Sequence, residues 1–331
     1  MRPVYFFQDG CLVIAALLFL LLPLSHQSPD WSSPHSVSVQ HVSSDRTLTG
    51  DELLRIGEIH DYQQHFPETL TYYQLALSTF REKKQARGIA TTLVKIAQVY
   101  ERQDKFQDAY VALQEAVPIL ARSSDRIAHA QALVVMGRVS ARLGHLEDGR
   151  ASFSQAVTLF DRAKERHGWN DAMVQLGLLQ VGDGLSEQGL SSLQQAWQDA
   201  RTRQDRDQEL SAVVALGTAH WLLDRATDAR RYYEDGLHLA ELEQNMTVEA
   251  ALRLRLAHIY GENGQLPEGI ASVNRTLLLS QTMRNAATQA AAWSLLGDLY
   301  QKMGRSAEAE ESEVRALSIY RQRQIVVHGG R

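Results

Sequence analysis

Small residues return every forty positions along most of this chain, each set among apolar neighbours. The series is Gly57, Ala97, Gly137, Gly177, Gly217, Ala257 and Gly297. An apolar residue precedes each member: Ile56, Ile96, Met136, Leu176, Leu216, Leu256 and Leu296. A second small row lies twelve positions on, at Thr69, Ala109, Gly149, Gly189, Ala229, Gly269 and Ala309. A third lies nineteen on, at Ala76, Ala116, Ala156, Ala196, Gly236, Thr276 and Ala316. Seven copies stay in phase without an insertion. Within one copy the pattern predicts two helices that approach through small side chains while larger neighbours fill the adjacent space. The turn between them falls at Gln64, Asp104, Gly144, Gly184, Asp224, Gly264 and Gly304. Gly and Asp suit a helix end, so Gln64 is the weakest of these signals. Pro67 and Pro267 fall in the first turn of a second helix, where proline is tolerated. Pro118 is expected in mid-helix, with a bend. The array begins with a capping box, Thr49-Gly50-Asp51-Glu52.

The chain ahead of the array follows other rules. Residues 11–24 are uncharged and mostly apolar, short for a membrane-spanning helix of about 17–25 residues. They match the core of a secretory signal, with Arg2 ahead of it. Val4-Tyr5-Phe6-Phe7 could lengthen the segment into an uncleaved anchor, and a buried N-terminal helix is the competing reading. Residues 1–24 are therefore read as a signal peptide or signal anchor. Residues 25–49, rich in serine and carrying Pro29 and Pro34, are read as a flexible linker. Cys11 precedes the apolar run rather than following it, which argues against lipidation. No Lys or Arg follows the run until Arg46, so the repeats are expected on the non-cytoplasmic side.

The forty-residue pattern resembles the tetratricopeptide repeat. Repeat 7 carries the motif as Trp293, Leu296-Gly297, Tyr300, Ala309 and Ala316, and repeat 2 as Leu93, Ile96-Ala97, Tyr100, Ala109, Leu113 and Ala116. The resemblance covers residues 50–329. It implies an all-α, right-handed superhelical solenoid of seven two-helix repeats, continuous rather than divided into domains. Two departures stand out: the period exceeds the usual value of about 34, and the proline that closes each repeat in the family is missing. The longer period resembles that of kinesin light chains and spindle-orientation scaffolds. In repeat 7, Glu310 and Glu313 stand where earlier copies carry residues such as Phe153 and Tyr233. A terminal repeat needs such a polar cap, so the last helix is expected to end near Gln324, with a tail beyond.

Composition narrows the chemistry. A net charge of −5 and seven prolines in 331 residues leave no broad cationic surface for nucleic acid and little to interrupt helices. A single cysteine excludes an internal disulfide. No phosphate loop and no His-Glu-x-x-His motif is present, and Gly182-Asp183-Gly184 falls at a repeat turn. His60 and His220 hold the family's tyrosine position and read as packing residues rather than metal ligands. No catalytic residue, metal or cofactor is expected. Asn245-Met246-Thr247 and Asn274-Arg275-Thr276 are glycosylation sequons, relevant only in a eukaryotic secretory setting.

The resemblance also implies that the first helices line a concave groove. Their outward positions offer Arg102, Arg138 and Arg142 in repeats 2–3, and Val174, Leu178, Val181, Trp221 and Leu222 in repeats 4–5. Core packing competes as a reading of the valines, and simple solvation as a reading of the arginines. The Lys and Asn clamp of the family's chaperone-binding members is absent at these positions. The expected function is a non-catalytic scaffold, exported or membrane-tethered, that binds a peptide or protein. Trp221 would anchor the partner, and the arginines would meet its acidic groups. A signalling-peptide receptor is the second reading, and an enzyme of unknown class is the residual one.

Overall fold

The computed structural model describes residues 48–328, with side chains as far as Arg321. The leader at 1–24 and residues 25–47 of the linker lie outside the described residues, and with them the signal or anchor reading. No helix among the described residues is long and apolar enough to cross a membrane.

The described residues form fourteen α-helices and no strand. Repeat 1 is α1 (Gly50–Tyr62) and α2 (Phe66–Glu82); repeat 2 is α3 (Ala86–Arg102) and α4 (Phe106–Ala121). Repeat 3 is α5 (Arg126–Arg142) and α6 (Leu146–Ala163); repeat 4 is α7 (Arg166–Gly182) and α8 (Ser186–Arg203). Repeat 5 is α9 (Arg206–Leu222) and α10 (Ala226–Leu242); repeat 6 is α11 (Met246–Glu262) and α12 (Leu266–Thr282). Repeat 7 is α13 (Ala286–Lys302) and α14 (Ser306–His328), which runs on past Gln324. The chain is thus a helical-repeat solenoid. It divides into two compact units between Ser192 and Leu193, inside α8.

Why these segments pair follows from side-chain size. All three rows of small residues are buried in every copy. In the first unit, a Cβ placed on Gly57 of α1 would fall 2.5 Å from the Tyr73 ring of α2. One on Gly137 of α5 would fall 2.6 Å from the Phe153 ring of α6. In the second unit, Gly217 of α9 stands in the same relation to Tyr233 of α10, at 2.6 Å. Where the small residue is alanine, its partner position holds an aliphatic: Ala97 shares a core with Leu113, and Ala257 with Val273. Glycine thus admits an aromatic ring where alanine admits only an aliphatic chain, which keeps the packing dense. From α1 to α7 in one unit, and from α9 to α14 in the other, each helix packs on the next. First helices also contact first helices of adjacent repeats: α1 with α3, α3 with α5 and α5 with α7 in one unit, α11 with α13 in the other.

The ends of the helices obey two rules. All seven predicted turn residues, Gln64 among them at φ 59°, take a left-handed backbone, from Asp224 at φ 57° to Gly144 at φ 81°. Gln64 therefore makes the same turn as the glycines, against its own preference. First helices are capped by side chains one repeat apart: Asp125 accepts from the Ala128 amide at 3.0 Å, Glu165 from Gly168, Asp205 from Gln208, Asn245 from Val248 and Asn285 from Thr288. The Thr49–Glu52 capping box is formed. Pro67 and Pro267 sit in first turns, as expected. Pro118 lies inside α4, which continues past it to Ala121. The turn after α4 departs from the rest. It lacks a left-handed residue at Ser124, and the Ser123 hydroxyl instead donates to the Leu120 carbonyl.

The terminal helix is only partly polar. Glu310 and Glu313 of α14 are exposed, as a cap requires. Val314, Leu317 and Tyr320 are exposed beside them.

Candidate functional site

In the first unit the outward side of the first helices is a ladder of charges. Arg138 of α5 donates from Nε and Nη2 to the two carboxylate oxygens of Glu101 on α3, at 2.7 and 2.8 Å. Arg102 of α3 pairs with Asp61 of α1, and Arg142 of α5 with Asp104 at 3.5 Å. Lys95 of α3 reaches Glu58 of α1 at 2.8 Å. The Arg102 guanidinium lies over the Phe66 ring at 5.7 Å, and one repeat later Arg142 lies over Phe106 at 4.5 Å. Burial disfavours the charge of Arg138, but Glu101 more than offsets this and raises its pKa. The three arginines expected to receive acidic ligand groups are therefore each committed to a carboxylate of the preceding repeat. A ligand carboxylate would have to displace a neighbour already in place.

The apolar residues expected beside them on α7 lie deeper. Val174, Leu178 and Val181 are only 1%, 7% and 5% exposed. They serve packing and offer almost no surface. The reason is local: nine residues of α7, spread around its circumference from Asn170 to Val181, are buried. Such a helix has no free face.

In the second unit the corresponding outward positions hold different chemistry. Trp221, in the last turn of α9, is half-buried and packs on a core that includes Val214, Leu256 and Ile259. Its ring meets His258 of α11 edge-on, with centroids 5.5 Å apart. His258 is exposed and lies 3.6 Å from Glu262. Leu222 is half-buried next to Trp221 in sequence. Trp221 and His258 hold the same repeat positions as Glu101 and Arg138. One slot between neighbouring repeats is thus closed by an ion pair in the first unit and lined by an aromatic pair in the second. His258 was absent from the sequence-based groove candidates. Its spacing of 37 from Trp221, matching Glu101 to Arg138, was the available signal.

The two histidines at the tyrosine position are packing residues. His60 stacks on Tyr72 and His220 on Tyr232, each with centroids 5.2 Å apart. Where that position is Tyr100, Tyr260 or Tyr300, the partner shrinks to Ala112, Ser272 or Ser312. Burial lowers the pKa of His220, and also that of His129 in the first turn of α5. No group of three or more metal-ligating side chains forms among the described residues. Of the two sequons, Asn245 spends its side-chain oxygen capping α11, and Thr276 is buried.

The tetratricopeptide repeat family model matches residues 248–322. Over these residues the chain is similar to the tetratricopeptide repeat family. Solved structures share the fold over most of its length. The apo form of RapI is similar with a TM-score of 0.63 at 11% identity, over 83% of this chain and 98% of that one. A tetratricopeptide repeat protein from Parabacteroides merdae gives 0.55 at 13% identity, over 82% and 93%. The Rap conjugation gene regulator of the plasmid pLS20, solved with the Phr* peptide, gives 0.56 at 18% identity, over 85% and 76%. At these identities the likeness concerns the fold. No curated protein matches the sequence.

Proposed function

We propose that this repeat protein is a non-catalytic scaffold that binds a peptide or protein segment through its second unit, with Trp221 as the anchor. The observation that carries this is the slot between α9 and α11. There an incompletely buried tryptophan meets an exposed histidine, where the first unit spends the same two positions on a mutual ion pair. Tryptophan supplies large contact area and is enriched among binding hot spots. Leu222 and His258 complete the patch, one apolar and one able to exchange hydrogen bonds. The arginines Arg102, Arg138 and Arg142 hold successive repeats together instead of contacting the partner.

A peptide is the occupant favoured here, because the pLS20 Rap regulator, of similar fold, was solved with the Phr* peptide. The test is selection of a random peptide library on the full chain. Binders that lose affinity on Trp221→Ala, without loss of the fold, support the reading. Binders indifferent to Trp221 overturn it. We also propose that residues 1–24 tether or export the chain. Protease protection in sealed vesicles tests this, and digestion of the repeats from the cytoplasmic side would refute it.

A further inference from the structure

We infer that α14 is a docking face for a second copy of this chain, the two helices lying antiparallel about a two-fold axis near Leu317. Inside the array the second helix of a repeat is covered by the repeat that follows. Leu77 of α2 shares a core with Ala90 and Leu93 of α3. The Phe80 ring lies so close to Gly88 of α3 that an added Cβ would meet it at 2.5 Å. Leu317 and Tyr320 hold the same two repeat positions on α14, yet they are 53% and 44% exposed, beside Val314 at 59%. The terminal repeat thus keeps the apolar docking chemistry of an internal one.

Its charges indicate what covers it. Glu310, Val314, Leu317 and Arg321 are spaced by four, three and four, and Glu313 and Tyr320 flank Leu317 at four and three, which puts the six on one helical face with Glu313 at its edge beside Gly297. The buried residues Ala309, Ser312 and Ala316 belong to the side that packs on the rest of the repeat. The face is acidic toward its N-terminal end, apolar at its centre and basic at Arg321. Turned end for end about Leu317, it complements itself. Val314 comes opposite Tyr320, Glu313 opposite Arg321, and Leu317 opposite its own copy. A two-fold interface requires this kind of self-complementarity. Neither Glu313 nor Arg321 makes an ion pair among the described residues. A parallel arrangement would set Glu313 against Glu313. A single helix pair buries a small area, so the dimer should be weak and concentration-dependent.

The experiment uses the full-length chain in mild detergent, with Cys11→Ser removing its one native thiol. In a packed helix pair, facing positions on the axis come within disulfide reach. Oxidation of the Leu317→Cys variant should therefore give a covalent dimer. Glu311→Cys, on the same helix but off the face, should not. Sedimentation of the uncross-linked chain adds a second readout. Glu313→Arg or Arg321→Glu alone should raise the dimer dissociation constant about tenfold, and the two together should restore it. Equal cross-linking at both positions, or a double exchange that fails to restore dimers, overturns the inference. So does a chain that stays monomeric at every concentration, including one whose Leu317 is shielded by its own residues. Trp221 takes no part in these readouts, so the peptide-binding reading stands or falls separately.

Discussion

One position in the repeat is used in two ways. Between α3 and α5 it holds Glu101 and Arg138, joined by two hydrogen bonds at 2.7 and 2.8 Å. Between α9 and α11 it holds Trp221 and His258, in contact but incompletely buried. The ion pair satisfies itself: each partner meets the other's charge, and little is left for a third molecule. The aromatic pair contributes apolar contact to its repeat and still leaves ring surface and an imidazole facing solvent. On the proposed reading, a repeat scaffold separates cohesion from recognition by changing only the residues in one slot.

Reversing one charge is the hardest blow to the first arrangement. Arg138→Glu sets two carboxylates together at a site where both side chains are three-quarters or more covered. It should cost about 3 kcal/mol, read by urea unfolding, and the exchange Glu101→Arg with Arg138→Glu should recover most of it. Binding through Trp221 should survive in the folded fraction. Next comes helix spacing. Gly217→Ala drives a Cβ to 2.6 Å from the Tyr233 ring and should destabilise by about 1–3 kcal/mol. In Gly297→Ala the added carbon meets the flexible Glu313 side chain at 3.2 Å, the Ala309 carbonyl at 3.4 Å and the Ser312 Cβ at an ordinary 3.7 Å. Loss of the glycine's backbone freedom should leave that variant within about 0.5 kcal/mol of the parent, or above it. The smallest effect is pH dependence. Burial holds the His129 pKa below its ordinary value, so the fold favours the neutral ring. That contribution is complete above about pH 6.5 and is lost as pH falls below it. His129→Leu should therefore lose less thermal stability than the parent between neutral and mildly acidic pH.

Much of the fold can be read from the chain because its signals repeat. Gly57 and its successors, the turn residues and the Thr49–Glu52 box are each local and periodic. The capping series Asp125, Glu165, Asp205, Asn245 and Asn285 was equally periodic, but it lies at the seam between repeats, where the small-residue rows do not direct attention. The site was less legible. Position on a helix says that Val174 and Leu178 share a side. It does not say that α7 is buried around most of its circumference. Likewise Arg138 reads as a free cation until α3 is placed beside it, because its partner Glu101 lies 37 residues away in the sequence. Contacts between repeats decide which outward residues remain available. The apolar residues of α14 were obscured for the opposite reason. Glu310 and Glu313 mark a solvent-facing end, while Leu317 belongs to the row that is covered or half-covered in every earlier copy.

The central claim is that Trp221 has surface left over for recognition after it has packed. The direct measurement is melting temperature and peptide affinity on the same Trp221→Ala protein, using peptides selected on the parent. The account predicts affinity weakened by about 2 kcal/mol or more in a chain that keeps its helicity and melts within a few degrees of the parent. A large drop in melting temperature, with affinity unchanged in the folded fraction, would make Trp221 a packing residue and contradict it.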